Sequence, residues 1–299
     1  MDDCSDEGFI PMIVAAIDVG TNTTRLLVAR VTHDGIFPLA TESAMTALGD
    51  GLDATGMIAP DGFTRIDSAI RAMIHTARSL NVVSISIVCT AVGRDARNAD
   101  ELLACIHQAS GLDAQILTGE REAELSFRGL MSVTTTDPLV AGDLGGGSLE
   151  LMGGTGGALE WAISLPLGVR KLTERRVHSD PPDIAVFTEI ADIVASEVQP
   201  IARTHPSRTL LMTGGTAAAL AKIAGTEQLT SAVLMDAASV LSRADARTIA
   251  ARVGLDPERI RMSFAGAAAF EGIRAAFSLD HISMATAGLR EGIILEAYA

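Results

Sequence analysis

Two hydrophobic rhythms alternate along this chain. Short runs of Val, Ile and Leu mark strands, and longer stretches with apolar residues three and four apart mark helices. Met12 to Ile17 is such a run, and Leu26-Leu27-Val28 continues it beyond a polar turn. His33-Asp34-Gly35 turns the chain into a further strand near Ile36. After the glycine-punctuated loop Leu48 to Gly56, Pro60-Asp61 opens a helix with Phe63, Ile66, Ile70, Met73, Ile74, Ala77 and Leu80 on one face. Val82 to Val88 predicts the next strand, ending at Cys89-Thr90-Ala91. Asp100 to Ser110 predicts a helix stopped by Gly111, Ala114 to Leu117 a short strand, and Thr118 a helix running through Phe127 and Leu130.

Beyond it the rhythm restarts. Leu139-Val140-Ala141, Leu149 to Met152 and Glu160 to Leu165 read as strands, with a turn over Pro166 to Arg170. Ile184 to Ile201 has helical spacing, and Thr209 to Met212 is a strand leading into Thr213-Gly214-Gly215-Thr216 and a helix from Ala217 to Ala224. Alanine-rich helices follow around 243–253 and 266–277, and an apolar helix closes the chain at Ala299. Such alternation is the signature of an α/β protein. The length, 299 residues, is enough for two domains with separate cores. No low-complexity linker divides them. The expected division is an acidic disordered tail over 1–11, one domain over 12–132 and a second over 133–299, whose last helix is free to pack back on the first.

The chemistry concentrates in Asp143-Leu144-Gly145-Gly146-Gly147-Ser148-Leu149-Glu150. An acid ends a strand, three glycines turn the chain, and a second strand leaves. Glycine lets a ligand approach the backbone closely, and successive N–H groups in such a turn converge into an anion site. Asp143 and Glu150 are acceptors only and suit a hard cation such as Mg²⁺. A structural turn with two solvated acids is the alternative. Asp18-Val19-Gly20-Thr21-Asn22-Thr23-Thr24-Arg25 repeats the pattern, with Asp18 and Arg25 at the spacing of Asp143 and Glu150. The repetition predicts two related halves, each presenting a phosphate-facing hairpin to a cleft between them.

Three further features point to the same place. Gly214-Gly215-Thr216 lies between a strand and a helix start, where free N–H groups and the helix dipole attract anions. Arg94 falls just past the end of a strand, where ligands gather in open α/β sheets, and its planar fork suits phosphate. An ion pair with Asp95 or Asp100 is its other reading. Glu122, taken alone, reads as a dipole partner in a first helical turn; because that helix leads into the Asp143 hairpin, it is also a candidate carboxylate for the cleft floor.

Composition removes several classes. Aromatic residues make up only 3%, too few for a base-stacking platform. The net charge of −14, from 23 basic and 37 acidic residues, argues against duplex nucleic acid. A polyanionic substrate must then be met by local arginines and metal. Cys4, Cys89 and Cys105 have no metal-like spacing and fit a reducing cytosol. No apolar run approaches a membrane span, and the acidic start lacks the basic residues of a signal peptide, so a cytoplasmic protein with no membrane partner is expected.

Seven segments in order resemble the exopolyphosphatase / guanosine pentaphosphate phosphohydrolase family. They are AIDVGTNTTRLLV (16–28), TAVGRDARN (90–98), TGEREAELSFRG (118–129), DLGGGSLEL (143–151), SLPLGVRKLTE (164–174), TGGTAAALAKI (213–223) and GLREGII (288–294). The resemblance implies the fold of the actin, sugar-kinase and heat-shock chaperone superfamily: two ribonuclease-H-like α/β domains around a central phosphate-binding cleft. It implies Mg²⁺-dependent release of orthophosphate from the end of inorganic polyphosphate, or of the terminal phosphate of guanosine pentaphosphate. Glu122 takes the place of the family's catalytic glutamate, and Arg94 that of its arginine. The phosphate-loop acids carry over to Asp143 and Glu150. Ala47, Arg121 and Leu149 depart from the family pattern.

The expected mechanism is in-line attack by water on the terminal phosphorus. Glu122 orients the water, and Asp143, Glu150 and Asp18 hold Mg²⁺. Thr21, Asn22, Thr23 and Arg25, then Gly145, Gly146, Gly147 and Ser148, then Gly214, Gly215 and Thr216, bind the phosphates. Shorter polyphosphate is favoured, because the acidic chain offers no long basic channel. A small ATP-dependent kinase and a non-catalytic guanosine tetra- or pentaphosphate sensor are the rival readings. A homodimer is one assembly open to the chain.

Overall fold

The computed structural model describes residues 11–298, so the expected tail falls almost wholly outside the described residues. The first half begins with β1 (Met12–Val19), β2 (Thr23–Thr32) and β3 (Gly35–Met45), an antiparallel meander. A single turn, α1 (Leu52–Thr55), and α2 (Pro60–Ser79) follow. The chain then runs through β4 (Ser84–Cys89), α3 (Ala91–Asp95), α4 (Ala99–Ser110) and β5 (Ala114–Ile116). The sheet order is β3-β2-β1-β4-β5, with β4 parallel to both β1 and β5. Pro60 at the first turn starts α2 without losing a helical hydrogen bond. Its Ile66, Ile70 and Met73 pack with Ile17, Leu26 and Ile87 of the sheet.

After α5 (Gly119–Met131) the second half repeats the plan. The meander is β6 (Leu139–Leu144), β7 (Leu149–Thr155) and β8 (Ala158–Leu165). Then come α6 (Val169–Arg176), α7 (Val186–Thr204), β9 (Leu211–Thr213) and α8 (Gly214–Ala224). The chain continues through β10 (Gln228–Thr230), α9 (Ser231–Leu241), α10 (Ala246–Val253), α11 (Pro257–Ala276), β11 (His281–Met284) and α12 (Leu289–Tyr298). The order is β10-β11-β9-β6-β7-β8, and β9 runs parallel to β6 as β4 does to β1. Each sheet is thus a meander followed by parallel crossovers.

Two helices are exchanged between the halves. α5 follows the first sheet, yet its Ala123, Phe127 and Leu130 pack with Leu139, Ala141 and Met152 of the second. α12 follows the second sheet, yet Leu289, Ile293 and Ile294 pack with Val14, Ala16 and Leu27 of the first. The two helices also meet each other, at Gly129 and Gly292. A Cβ at either would overlap backbone oxygen, that of Gly288 or that of Leu125. The first sheet ends at β5 and the second begins at β6, and the two helices cross between them.

The structure departs from the sequence expectation in four places. α11 starts at Pro257, well before the expected position near Gly266. Its residues are buried on nearly every side, Phe264 and Phe270 completely, so no polar face supplies the helical period. α6 continues through Arg176, where only a turn to Arg170 is expected. α9 and the short β10 and β11 are absent from the sequence reading, although Thr230 caps α9 by accepting from the Val233 N–H. α3 is a brief helix just past β4, where the sequence pattern shows none. No helix among the described residues is long and apolar enough to cross a membrane.

Candidate active site

The two glycine turns face each other. In the β1–β2 pair Asp18 stands opposite Arg25, and in the β6–β7 pair Asp143 stands opposite Glu150. Each turn is closed by one backbone bond, Gly20 N–H to Thr23 O at 3.1 Å and Gly145 N–H to Ser148 O at 2.9 Å. They are nearly in contact. A Cβ at Gly147 would lie 2.7 Å from Thr21 Oγ1, and one at Gly146 would lie 2.5 Å from Asn22 Nδ2. Only glycine permits this approach. The loop after β3 backs the first turn: Ala47 N–H donates to Asn22 O and Gly49 N–H to Thr21 O, both at 2.8 Å. Ala47 holds a left-handed backbone, φ 44°, to do so.

Between the turns lies a narrow cleft of about 70 Å³. Thr21, Asn22, Thr23 and Arg25 line one side, Gly145 to Ser148 another. Gly214, Gly215 and Thr216, at the start of α8, form a third wall, and Asp18, Asp143 and Glu122 complete it. Gly214 has φ +89°, and a Cβ there would overlap the Asp143 carboxylate. That glycine is therefore required twice, by backbone angle and by space. Every residue expected to bind substrate is in this lining.

Glu122 reaches the cleft because Thr118 caps α5, accepting from the Arg121 N–H at 3.1 Å, and so fixes where the first turn begins. Arg94 donates to Glu122 Oε2 at 2.7 Å, to Leu117 O at 2.9 Å and to Ser148 Oγ at 3.4 Å. It pairs with neither Asp95 nor Asp100; Asp95 binds Lys171 instead. Arg94 stands behind Glu122 and Ser148, not on the cleft surface, and anchors the carboxylate rather than lining the phosphate site. Glu150 is also set back: it is 1% exposed, accepts from Ser164 Oγ at 2.8 Å, and lies 3.7 Å from Arg94. The expectation of three acids around one cation resolves into two cleft carboxylates, Asp18 and Asp143, with Glu150 behind them.

The carboxylates of the pocket are buried, and arginines oppose the cost of their charge only in part. Burial pushes Asp18 above its ordinary value, against Arg25 and Arg290. Burial raises Asp143 to about 6, opposed by Arg25. Burial and the charge of Asp143 raise Glu150 to about 7, opposed by Ser148, Ser164 and Arg94. Glu122 is pushed well above the usual carboxylate range by burial and then by Glu150, with Arg94 pulling the other way. Asp18 Oδ1 is buried with no hydrogen-bond partner. A hard cation fits this donor set, since Mg²⁺ takes few protein carboxylates and completes its shell with water and phosphate oxygens. Among the described residues no three His, Cys, Asp or Glu side chains enclose a ready-made metal site.

Three side chains at the site carry no role in the sequence reading. Arg259, in the first turn of α11, lines the cleft and donates to Thr23 Oγ1 at 2.6 Å. Burial and the neighbouring Arg25 lower it to about 10. Arg25 and Arg259 flank Gly215, where a Cβ would collide with both. Arg290, on α12, joins the charges around Asp18 and Asp143. Arg170, on α6, donates to Asn22 Oδ1 and to Asp50. A second cavity of about 620 Å³ opens beside the cleft and shares Asp18, Arg25, Asp143, Gly214 and Arg259 with it.

Known proteins share this fold. The model of the Ppx/GppA phosphatase family matches residues 27–299. Exopolyphosphatase 2 of Mycobacterium tuberculosis (strain CDC 1551 / Oshkosh) is 34% identical over 225 residues, 71% of this chain and 70% of that protein. Exopolyphosphatase 1 of Mycobacterium bovis is 29% identical over 309 residues, covering 95% of this chain and 88% of its own. An exopolyphosphatase from Cytophaga hutchinsonii superposes with a TM-score of 0.85 at 24% identity, over 95% of this chain and 97% of that one. The Aquifex aeolicus Ppx/GppA member superposes with a TM-score of 0.79 at 23% identity, over 97% and 98%. These two structures share the expected two-domain, actin-like architecture. With the family model running from β2 to the end of the chain, and a relative alike over more than two thirds of its length, the chain belongs to the Ppx/GppA phosphatase family.

Proposed function

We propose that this protein is an exopolyphosphatase, which hydrolyses the terminal phosphoanhydride bond of inorganic polyphosphate and releases orthophosphate. The observation that carries the reading is Glu122: a buried carboxylate, anchored by Arg94, on the wall of a cleft whose other walls are three glycine-bearing turns. The curated relatives named above are exopolyphosphatases by name.

In this reading the terminal phosphoryl group sits between the two turns, its oxygens facing backbone N–H groups and the Ser148 and Thr21 hydroxyls. Arg94 occupies Oε2 of Glu122 and leaves Oε1 for a water molecule. The water oxygen attacks phosphorus, the bond to the bridging oxygen breaks, and the water's proton passes to Glu122. The raised proton affinity of Glu122 suits that acceptor role. Arg25 and Arg259 lie where the shortened chain, with its new negative charge, departs. Mg²⁺ held by Asp18 and Asp143, when bound, would neutralise charge on the phosphate oxygens. Cytoplasmic placement and a homodimer remain part of the proposal; sedimentation of the purified protein tests the second.

One observation favours a second substrate. The 620 Å³ cavity beside the cleft carries Ala218, Ala219, Leu255 and Met284 on its wall, an apolar surface that a nucleoside would cover and an inorganic chain would not. Guanosine pentaphosphate is therefore the alternative. Orthophosphate release is measured from tripolyphosphate, long polyphosphate and guanosine pentaphosphate, each with Mg²⁺ and with EDTA. Mg²⁺-dependent release from polyphosphate is expected, faster from shorter chains. Release from guanosine pentaphosphate alone would select the second substrate, and release from none would overturn both.

A further inference from the structure

We infer that Arg170 is a positioning residue: it braces the two phosphate turns against each other and orients the Asn22 amide toward the phosphate. The inference rests on the phosphohydrolase reading for its kinetics and goes beyond it in assigning Arg170 and Asn22.

Arg170 is attached to both turns at once. Its backbone N–H donates to Gly146 O at 3.0 Å, next to the Val169 N–H bond to Gly145 O, also 3.0 Å. The start of α6 therefore sits on the second turn, where Gly168 leaves room for it. Its side chain crosses to the first half, where Nε donates to Asn22 Oδ1 and Nη1 to Asp50. Only 5% of the residue is exposed. One residue thereby sets the separation of two turns that belong to different sheets.

The same bond decides which way Asn22 faces. A guanidinium can only donate, so the amide must offer Arg170 its oxygen, and its NH₂ group points the other way. That other side is Gly146: a Cβ there would meet Asn22 Nδ2 first. Asn22 is buried and lines the cleft. A neutral donor held this way, facing a phosphoryl oxygen, costs nothing to reorganise as charge builds there. Without Arg170 the amide is free to flip and present oxygen to an anion.

The other two bridges from α6 to the first half serve as controls. Lys171 pairs with Asp95 at 2.6 Å and Arg175 with Asp53 at 2.6 Å, but neither touches a phosphate turn. If α6 merely tethers the halves, these bridges matter as much as Arg170.

The test is a double-mutant cycle read as kcat and KM for tripolyphosphate. Asn22→Ala is expected to lower kcat about 100-fold, the cost of one transition-state donor. Arg170→Gln is expected to lower kcat at least about tenfold with KM changed less than about threefold, as for an interaction made in the transition state. The double variant should be no slower than Asn22→Ala, because Arg170 acts through Asn22. Arg170→Lys, with one donor head in place of a fork, should recover part of the loss, and Arg175→Ala should match the wild type. Multiplying losses in the double variant, or an equal loss from Arg175→Ala, overturns the inference. Thermal unfolding of each variant is recorded, and Arg170→Lys carries the test where Arg170→Gln does not fold. A wild type that releases no phosphate sinks the proposed function instead. The brace is then judged by calorimetry of tripolyphosphate binding in the same proteins, where additive losses again overturn it.

Discussion

Replacing Glu122 by Gln separates the catalytic demand on that position from its structural one. The amide is nearly the same shape, and its oxygen can still accept from Arg94 Nη1, which lies 2.7 Å from Glu122 Oε2. What is lost is the capacity to take a proton from water. General-base catalysis contributes about 10²- to 10⁴-fold, or roughly 3–5 kcal/mol of barrier, so kcat should fall by that factor with KM little changed. Stability should move the other way. Burial and Glu150 make the folded protein hold the Glu122 proton more tightly than the unfolded chain does. Ionising the group therefore costs the folded state, a cost absent well below the unfolded value and complete above the folded one. Glu122→Gln removes it, so the variant should unfold at a higher temperature than wild type at pH 8, and the difference should shrink toward pH 4. The assay is phosphate release from tripolyphosphate alongside thermal melts across that range. A variant retaining a tenth of wild-type kcat, or one less stable than wild type at pH 8, would refute the reasoning.

Three further outcomes follow from the geometry. Gly292→Ala places a Cβ against the Leu125 backbone oxygen, which cannot rotate away, so α5 and α12 must separate; we expect a loss of about 1–3 kcal/mol, measured by urea unfolding. Arg259→Gln removes a cleft cation and the donor to Thr23 Oγ1, and should raise KM for tripolyphosphate about 10- to 100-fold, the worth of a charged hydrogen bond, while an unchanged KM would remove Arg259 from the substrate path. In the metal-free protein Glu150 and Asp143 take up protons as pH falls through about 7 and about 6. The cleft then loses the negative charge that attracts a cation, so Mg²⁺ should bind more weakly at pH 5.5 than at pH 8 by titration calorimetry, and equal affinity would contradict the assignment.

Much of the first half was legible because its elements are amphipathic. α2 shows one apolar face with Ile66, Ile70 and Met73, and the structure buries that face on the sheet. The glycine turns were legible for a different reason: a turn that must admit a ligand or a neighbouring backbone excludes side chains, and glycine records that exclusion locally. The first half of α11, from Pro257, was hidden because full burial erases the polar face from which a helix is read. β10 and β11 were hidden because a three- or four-residue strand is set by its neighbours, not by its own pattern.

The sequence by itself determined the two repeated acid-and-glycine hairpins, the α/β class and the family, since each rests on residues adjacent along the chain. Only the tertiary structure decided that Arg94 anchors Glu122 instead of lining the cleft, that Glu150 is buried against Ser164, and that Arg259 and Arg170 reach Thr23 and Asn22 from the far half. An arginine side chain spans several ångströms and carries its charge at the tip, so its partner is chosen by how the sheets pack. Spacing along the chain carries no record of that choice.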